Sequence, residues 1–240
     1  MQRREVVKAG MVLLSTATTA SIFSPVGVAK EFRGGEPWHA EESTLPDPVT
    51  SDERVFFSQR EARLVSAIFD RLIPADELSV SATEAGCVTF IDHQLAGPYG
   101  QAASRYTLGP VKLGTPAQGT QTLTTPAEIY RAGLSALDEH CRQRLGKAFI
   151  ELCAEQQDAY LEKMEAGEWR FHAIDAAEFF ALLLGNAKEG FLADPIYGGN
   201  RDMAGWKMVG FPGARYDYRD YIERKGEVID LKPISLLDIT

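Results

Sequence analysis

The segment that opens at Asp175 sets the terms for the rest of the chain. Asp175 with Glu178 three residues on is a helix-start pair, because side chains at those two positions satisfy amides left unpaired in a first turn. Phe179, Phe180, Leu182, Leu183 and Leu184 follow, and Gly190 reads as the stop. A helix that is apolar nearly all round has to be enclosed, so the remaining chain must supply elements that surround it.

It supplies helices. Ser58 with Glu61 forms a capping box, Leu64, Val65, Ile68, Phe69 and Leu72 mark one face, and Pro74 ends the run. Ser81 with Glu84 opens a second helix with Ala85, Val88, Ile91 and Leu95 inward, closed by Gly97-Pro98. Thr125-Pro126-Ala127-Glu128 starts a third that carries Tyr130, Leu134, Leu137 and Cys141 and stops at Gly146. A fourth spans about Ala154 to Glu165 with Tyr160, Leu161 and Met164 apolar, and Gly167 lies just beyond it. The expected fold is therefore mainly α, an irregular domain of about five helices. Residues 97–125, rich in Gly and Pro, read as a long irregular loop.

The two flanks differ from this body. Residues 30–55 are Pro-, Gly- and acid-rich and should form an extended arm, in which Trp38 is either an anchor for a partner or a side chain laid back on the body. The C-terminal quarter sets Phe191, Tyr197, Trp206, Phe211, Tyr216, Tyr218 and Tyr221 among Gly198-Gly199, Gly205, Gly210 and Gly213, with neither period sustained. Such a stretch is either a flap packed on its own core or a surface that docks another protein. Only short strands, such as Glu227 to Leu231, fit there. Residues 56–240 are read as one domain.

Upstream of the arm, Arg3-Arg4 and Lys8 precede a stretch from Ala9 to Ala29 without a charged residue, and Gly27-Val28-Ala29 makes a cleavage site before Lys30. The paired arginines select a twin-arginine export signal over residues 1–29, although Gln2 and Val6-Val7 depart from the usual motif. That route carries folded cargo through the twin-arginine translocation machinery, so the expected location is the periplasm. The Ser- and Thr-diluted apolar stretch falls short of the ~20 strongly apolar residues of a membrane anchor. Net charge is −9, and −11 without residues 1–29, which carry three basic groups against one acid. Such a surface argues against nucleic acid as a partner.

No residue pattern announces catalysis. Dinucleotide and phosphate loops, a nucleophile elbow and an H-E-x-x-H helix are all missing from the sequence. His39, His93, His140 and His172 are scattered, and Cys87, Cys141 and Cys153 form no C-x-x-C pair. The three cysteines are either disulfide-capable, with an odd thiol left for a partner chain, or simply small buried side chains.

The stretch from Glu189 to Gly213, EGFLADPIYGGNRDMAGWKMVGFPG, resembles the signature region of the gluconate 2-dehydrogenase subunit 3 family. Further similarity runs through Arg71 to Asp76, Phe90 to Tyr99, and Glu155 to Asp158 with Leu161, covering about residues 56–215. The resemblance implies a small, twin-arginine-exported, non-catalytic subunit of a membrane-bound complex. A large subunit there carries FAD and oxidises gluconate, ketogluconate or a related sugar acid, and a multi-haem c-type cytochrome subunit passes electrons on. No cofactor is expected in this chain itself. Its own contribution would be to stabilise and escort the flavoprotein, with Trp38, Tyr197, Gly198, Gly199, Asn200, Arg201, Trp206 and Phe211 as the partner interface and Cys87, Cys141 or Cys153 available for an intersubunit disulfide. Alternatively the chain contributes a residue such as His172 or Arg201 to the large subunit's substrate site, or it is a free-standing periplasmic binding domain. The signature turn itself either grips the partner or folds back on the fifth helix.

Overall fold

The structure is a computed structural model and describes residues 45–105, 112, 114–115, 118, 122–172 and 174–239. The signal residues Arg3, Arg4, Lys8 and Ala29, together with Trp38 and most of the 106–121 loop, lie outside the described residues. Six α-helices follow in order: α1 Gln59–Leu72, α2 Cys87–Ala96, α3 Pro126–Leu145, α4 Ala154–Glu165, α5 Ala176–Leu192 and α6 Ala204–Val209. The fold is mainly α, and the described residues contain no strand beyond an isolated bridge between Gly213 and Ile234. None of these helices is long and apolar enough to cross a membrane.

Local chemistry accounts for most boundaries. The capping boxes at Ser58–Glu61 and Thr125–Glu128 are formed, and the Asp175 carboxylate accepts the Glu178 amide at the start of α5. Gly146 closes α3 in the left-handed conformation, which removes the Cβ penalty at that turn. α5 packs against α1, α2, α3, α4 and α6, as its composition demands. Phe179, Leu183 and Ala187 are fully buried, while Glu178, Lys188 and Glu189 give it a narrow solvent edge.

Three expectations need correction. The Ser81–Glu84 bonds form, at 3.0 and 3.3 Å, but the α-helix begins only at Cys87, because Gly86 adopts φ 82 and interrupts it. A Cβ on Gly86 would lie 2.4 Å from the Gly198 carbonyl oxygen, so a distant segment dictates the break. α5 does not stop at Gly190 but runs on to Leu192; Gly190 is there because Phe90 and Cys87 of α2 press against it. Residues 227–231 are not a strand, since no neighbouring strand offers them a ladder. From Leu45 onward the expected arm belongs to the same compact unit as the helices.

One buried polar network stitches the core. Asn186 of α5 accepts from the Tyr130 hydroxyl at 2.9 Å and donates to Tyr99 at 3.0 Å and to Glu189 at 2.7 Å. Burial pushes the Tyr130 phenol well above its ordinary range, which keeps it a hydrogen-bond donor. On the α3–α4 side His140 Nδ1 lies 2.8 Å from the Tyr160 hydroxyl, among the rings of Trp169 and Phe171.

Candidate functional site

The signature stretch folds into a knot of short turns at the C-terminal end of α5. Asp194 caps the first turn by accepting from the Ile196 amide at 3.0 Å. Its carboxylate also accepts from the Ser235 hydroxyl at 2.7 Å and the Leu236 amide at 2.9 Å, which ties down the C-terminal segment. Gly198 turns the chain at φ 87, and Gly199 lies so close to α5 that a Cβ would sit 2.3 Å from the Gly190 carbonyl oxygen. Asn200 is wholly buried, donating to Ala193 O and accepting from the Gly205 amide, both at 2.8 Å. Asn200, Asp202 and Met203 all have positive φ, a cluster that persists only where the surroundings over-determine the backbone.

Arg201 reaches into the same chain. Its amide donates to Ala85 O at 3.0 Å, while its guanidinium pairs with Asp52 and bonds the Thr89 hydroxyl at 3.1 Å. The Thr89 hydroxyl, with Arg201 beside it, holds the Asp52 carboxyl below the usual carboxylate range. Trp206 is 5% exposed, donates its indole N–H to Leu192 O at 2.8 Å and meets Phe211 edge to face at 5.2 Å. The turn therefore folds back on α5, and Gly198, Gly199, Asn200 and Trp206 are spent on internal contacts. Of the residues expected at a partner interface, Phe211 is exposed, and Tyr197 and Arg201 are half-buried.

A cleft of about 690 Å³ opens beside this knot, between α2 and the last turns of α5. Phe90, Leu192, Ala193 and Tyr197 give it apolar walls, Gly185 leaves its floor open, and Gln94, Lys188, Glu189 and Asp194 stand on its rim. Two of the segments that carry the sequence resemblance, 90–99 and 189–213, meet there. Leu192 continues outward from the cleft, and Met208, Val209 and Phe211 stand exposed just past Trp206, whose indole is bonded to Leu192. A second cleft, of about 410 Å³ between α1 and α3, is lined by Arg60, Arg131 and Arg142, each paired with an acid of the same cleft.

The cysteines separate by burial. Cys87 and Cys141 are fully buried, with thiols pushed up to about 12 and about 11 by loss of solvent, so neither reaches a partner chain. Only Cys153, exposed at the start of α4, remains for an intersubunit disulfide, and all three are free here. His172 is exposed, and among the described residues no three His, Cys, Asp or Glu side chains gather as a metal site.

Sequence reasoning passed over Asp92, although a signal was present. It stands on α2 one turn from Val88 and Leu95, on the face that must go inward. It is 1% exposed and accepts the amides of Val55 at 2.6 Å, Phe56 at 3.2 Å and Phe57 at 2.6 Å.

No curated protein and no solved structure matches the chain. The family model described as gluconate 2-dehydrogenase subunit 3 matches residues 59–213, from the first residue of α1 to the glycine that closes the signature knot. With nearly two thirds of its length matched, helices, knot and cleft included, this chain belongs to the gluconate 2-dehydrogenase subunit 3 family.

Proposed function

We propose that this chain is the non-catalytic small subunit of a periplasmic, membrane-attached sugar-acid dehydrogenase. In this reading a large FAD-bearing subunit oxidises gluconate or a ketogluconate, and a multi-haem cytochrome c subunit takes the electrons. The small subunit stabilises the flavoprotein and escorts it through twin-arginine export on the strength of Arg3-Arg4. Family membership supports its place in a dehydrogenase complex. The observation that carries the docking role is the cleft at the end of α5, with the exposed Leu192 in its lining, together with the exposed Met208, Val209 and Phe211 that follow Trp206 in the chain. Exposed large hydrophobics gathered on a rigid frame mark contact with another protein.

Gly185→Leu tests the docking. A Cβ at 185 meets nothing within 4 Å and Gly185 lines the cleft, so the larger side chain is directed at the cleft rather than at a packed neighbour. Wild-type chain is expected to co-purify with the FAD-containing subunit and its yellow absorbance, and the Leu variant, its folding checked by circular dichroism, to lose at least 10-fold of that recovery. Unchanged recovery would remove the cleft from the interface. Arg3→Lys/Arg4→Lys tests the escort while preserving charge, and flavoprotein that still reaches the periplasm would overturn that part.

A further inference from the structure

Residues 49–57 cross the surface of the helical body, fastened mainly by polar bonds as far as Val55 and by the rings of Phe56 and Phe57 at their end. The Val49 amide donates to Ile196 O at 2.9 Å, Asp52 pairs with Arg201 and accepts from Thr89, and the amides of Val55, Phe56 and Phe57 converge on Asp92. Apolar anchorage upstream of Phe56 and Phe57, which pack on the core, is slight: Val49 rests on Gly198 and Val55 is 55% exposed. A segment with few buried apolar contacts opens at lower free energy than the core it lies on.

The seat for this strap is assembled from two parts of the chain about a hundred residues apart. Asp92 and Thr89 come from α2; Ile196 and Arg201 come from the signature knot. The knot is in register with α2 only when the Arg201 amide reaches Ala85 O and the Gly198 carbonyl rests on Gly86. Val49 also packs on Gly198, where a Cβ would come within 2.8 Å of it. Among the described residues no cation pairs with Asp92, so its buried carboxylate depends on those three amides; a buried charge without them is costly. Strap and seat therefore require one another.

We propose that residues 49–57 are a fold-dependent latch: they close only on the completed assembly of α2 and the signature knot, and they open as a unit ahead of the helices. The family match begins at residue 59, so the latch lies outside the matched region. Its consequence for function rests on the export reading above. An open latch exposes Phe56 and Phe57 and marks the chain as unfinished cargo.

Hydrogen–deuterium exchange on the full chain tests the latch itself. Asp92→Asn keeps the side chain's shape but replaces one acceptor oxygen with an NH2 that repels the amides. Peptides spanning 49–57 are expected to exchange at least 10-fold faster, while peptides from α3 and α5 keep wild-type protection. Unchanged exchange in 49–57, or equal loss of protection in α3 and α5, would overturn the latch. Asp52→Ala, at a site 69% exposed, leaves folding intact and should speed exchange across 49–57 while α3 and α5 keep wild-type protection; no acceleration, or acceleration confined to 49–52, counts equally against the latch. Export is then compared between variants. Periplasmic recovery should fall several-fold in Asp92→Asn. If Arg3→Lys/Arg4→Lys blocks export and Asp92→Asn does not, the gating role falls and the export reading stands. If the lysine pair exports normally, the export reading falls and the exchange result decides the latch alone.

Discussion

Helix α5 and the knot that follows it, residues 194–206, hold one domain together by opposite means. α5 works by volume: Phe179, Phe180, Leu183 and Phe191 fill space among the other helices. The knot works by closeness, since Gly199 and Gly205 let backbone touch backbone, Asn200 ties Ala193 to Gly205 within it, and Asp194 and Arg201 bond to segments far away in sequence. The helix is thus sensitive to what is removed, and the knot to what is added. Apolar volume can be supplied by several residue types, whereas a carbonyl oxygen within 2.3 Å of a missing Cβ admits only glycine.

Three substitutions test that contrast. Phe179→Ala removes a wholly buried ring packed edge to face on Tyr130 at 5.9 Å. It should cost about 3–5 kcal/mol in urea unfolding, the price of a core cavity, and a loss under about 1 kcal/mol would break the account of α5. Gly205→Ala adds a single methyl where the Phe191 carbonyl oxygen would lie 2.0 Å away. The expected loss is about 1–3 kcal/mol, and a neutral or stabilising result would show that the knot yields where it is drawn as rigid. The smallest effect distinguishes the two regions by pH. Asp52 has its carboxyl held low by Thr89 and Arg201, so its contribution is present above the unfolded value of about 3.9 and is lost as pH falls through the lower folded value. Asp52→Asn should therefore destabilise slightly at pH 7, by the ~0–1 kcal/mol of an exposed pair, and converge on wild type as pH falls below the carboxylate range. A difference that persists at low pH would assign the effect to packing instead.

The same contrast explains how much the sequence disclosed. The starts of α1, α3 and α5 were legible because Ser58, Thr125 and Asp175 bond within their own first turns, and α4 matched from Ala154 to Glu165. The start of α2 was not, because Gly86 breaks the helix in response to Gly198, more than a hundred residues away. α6 is too short, at 6 residues, to show a helical period. At the site, the sequence did not show how the signature residues are used: Trp206 and Asn200 were expected at a partner interface, and their bonds turn them inward. The cleft itself arises from the angle between α2 and α5, which no local pattern encodes. Asp92 is the intermediate case, an acid on an inward face whose partners only the folded arm reveals.

The knot also pins two segments that lie at opposite ends of the described chain. Val49 is bonded to Ile196, and Ser235 to Asp194, so these attachment points sit two residues apart, within roughly 7 Å along the backbone. Topologically the domain is a ring fastened at one clasp. Its chain could be joined through a short linker from 235 to 49 and cut in the exposed turn at Gly146-Lys147 without losing a helix. A domain with that geometry can be set as a cassette into a surface loop of another protein, where its cleft would be displayed on a mount anchored at both ends.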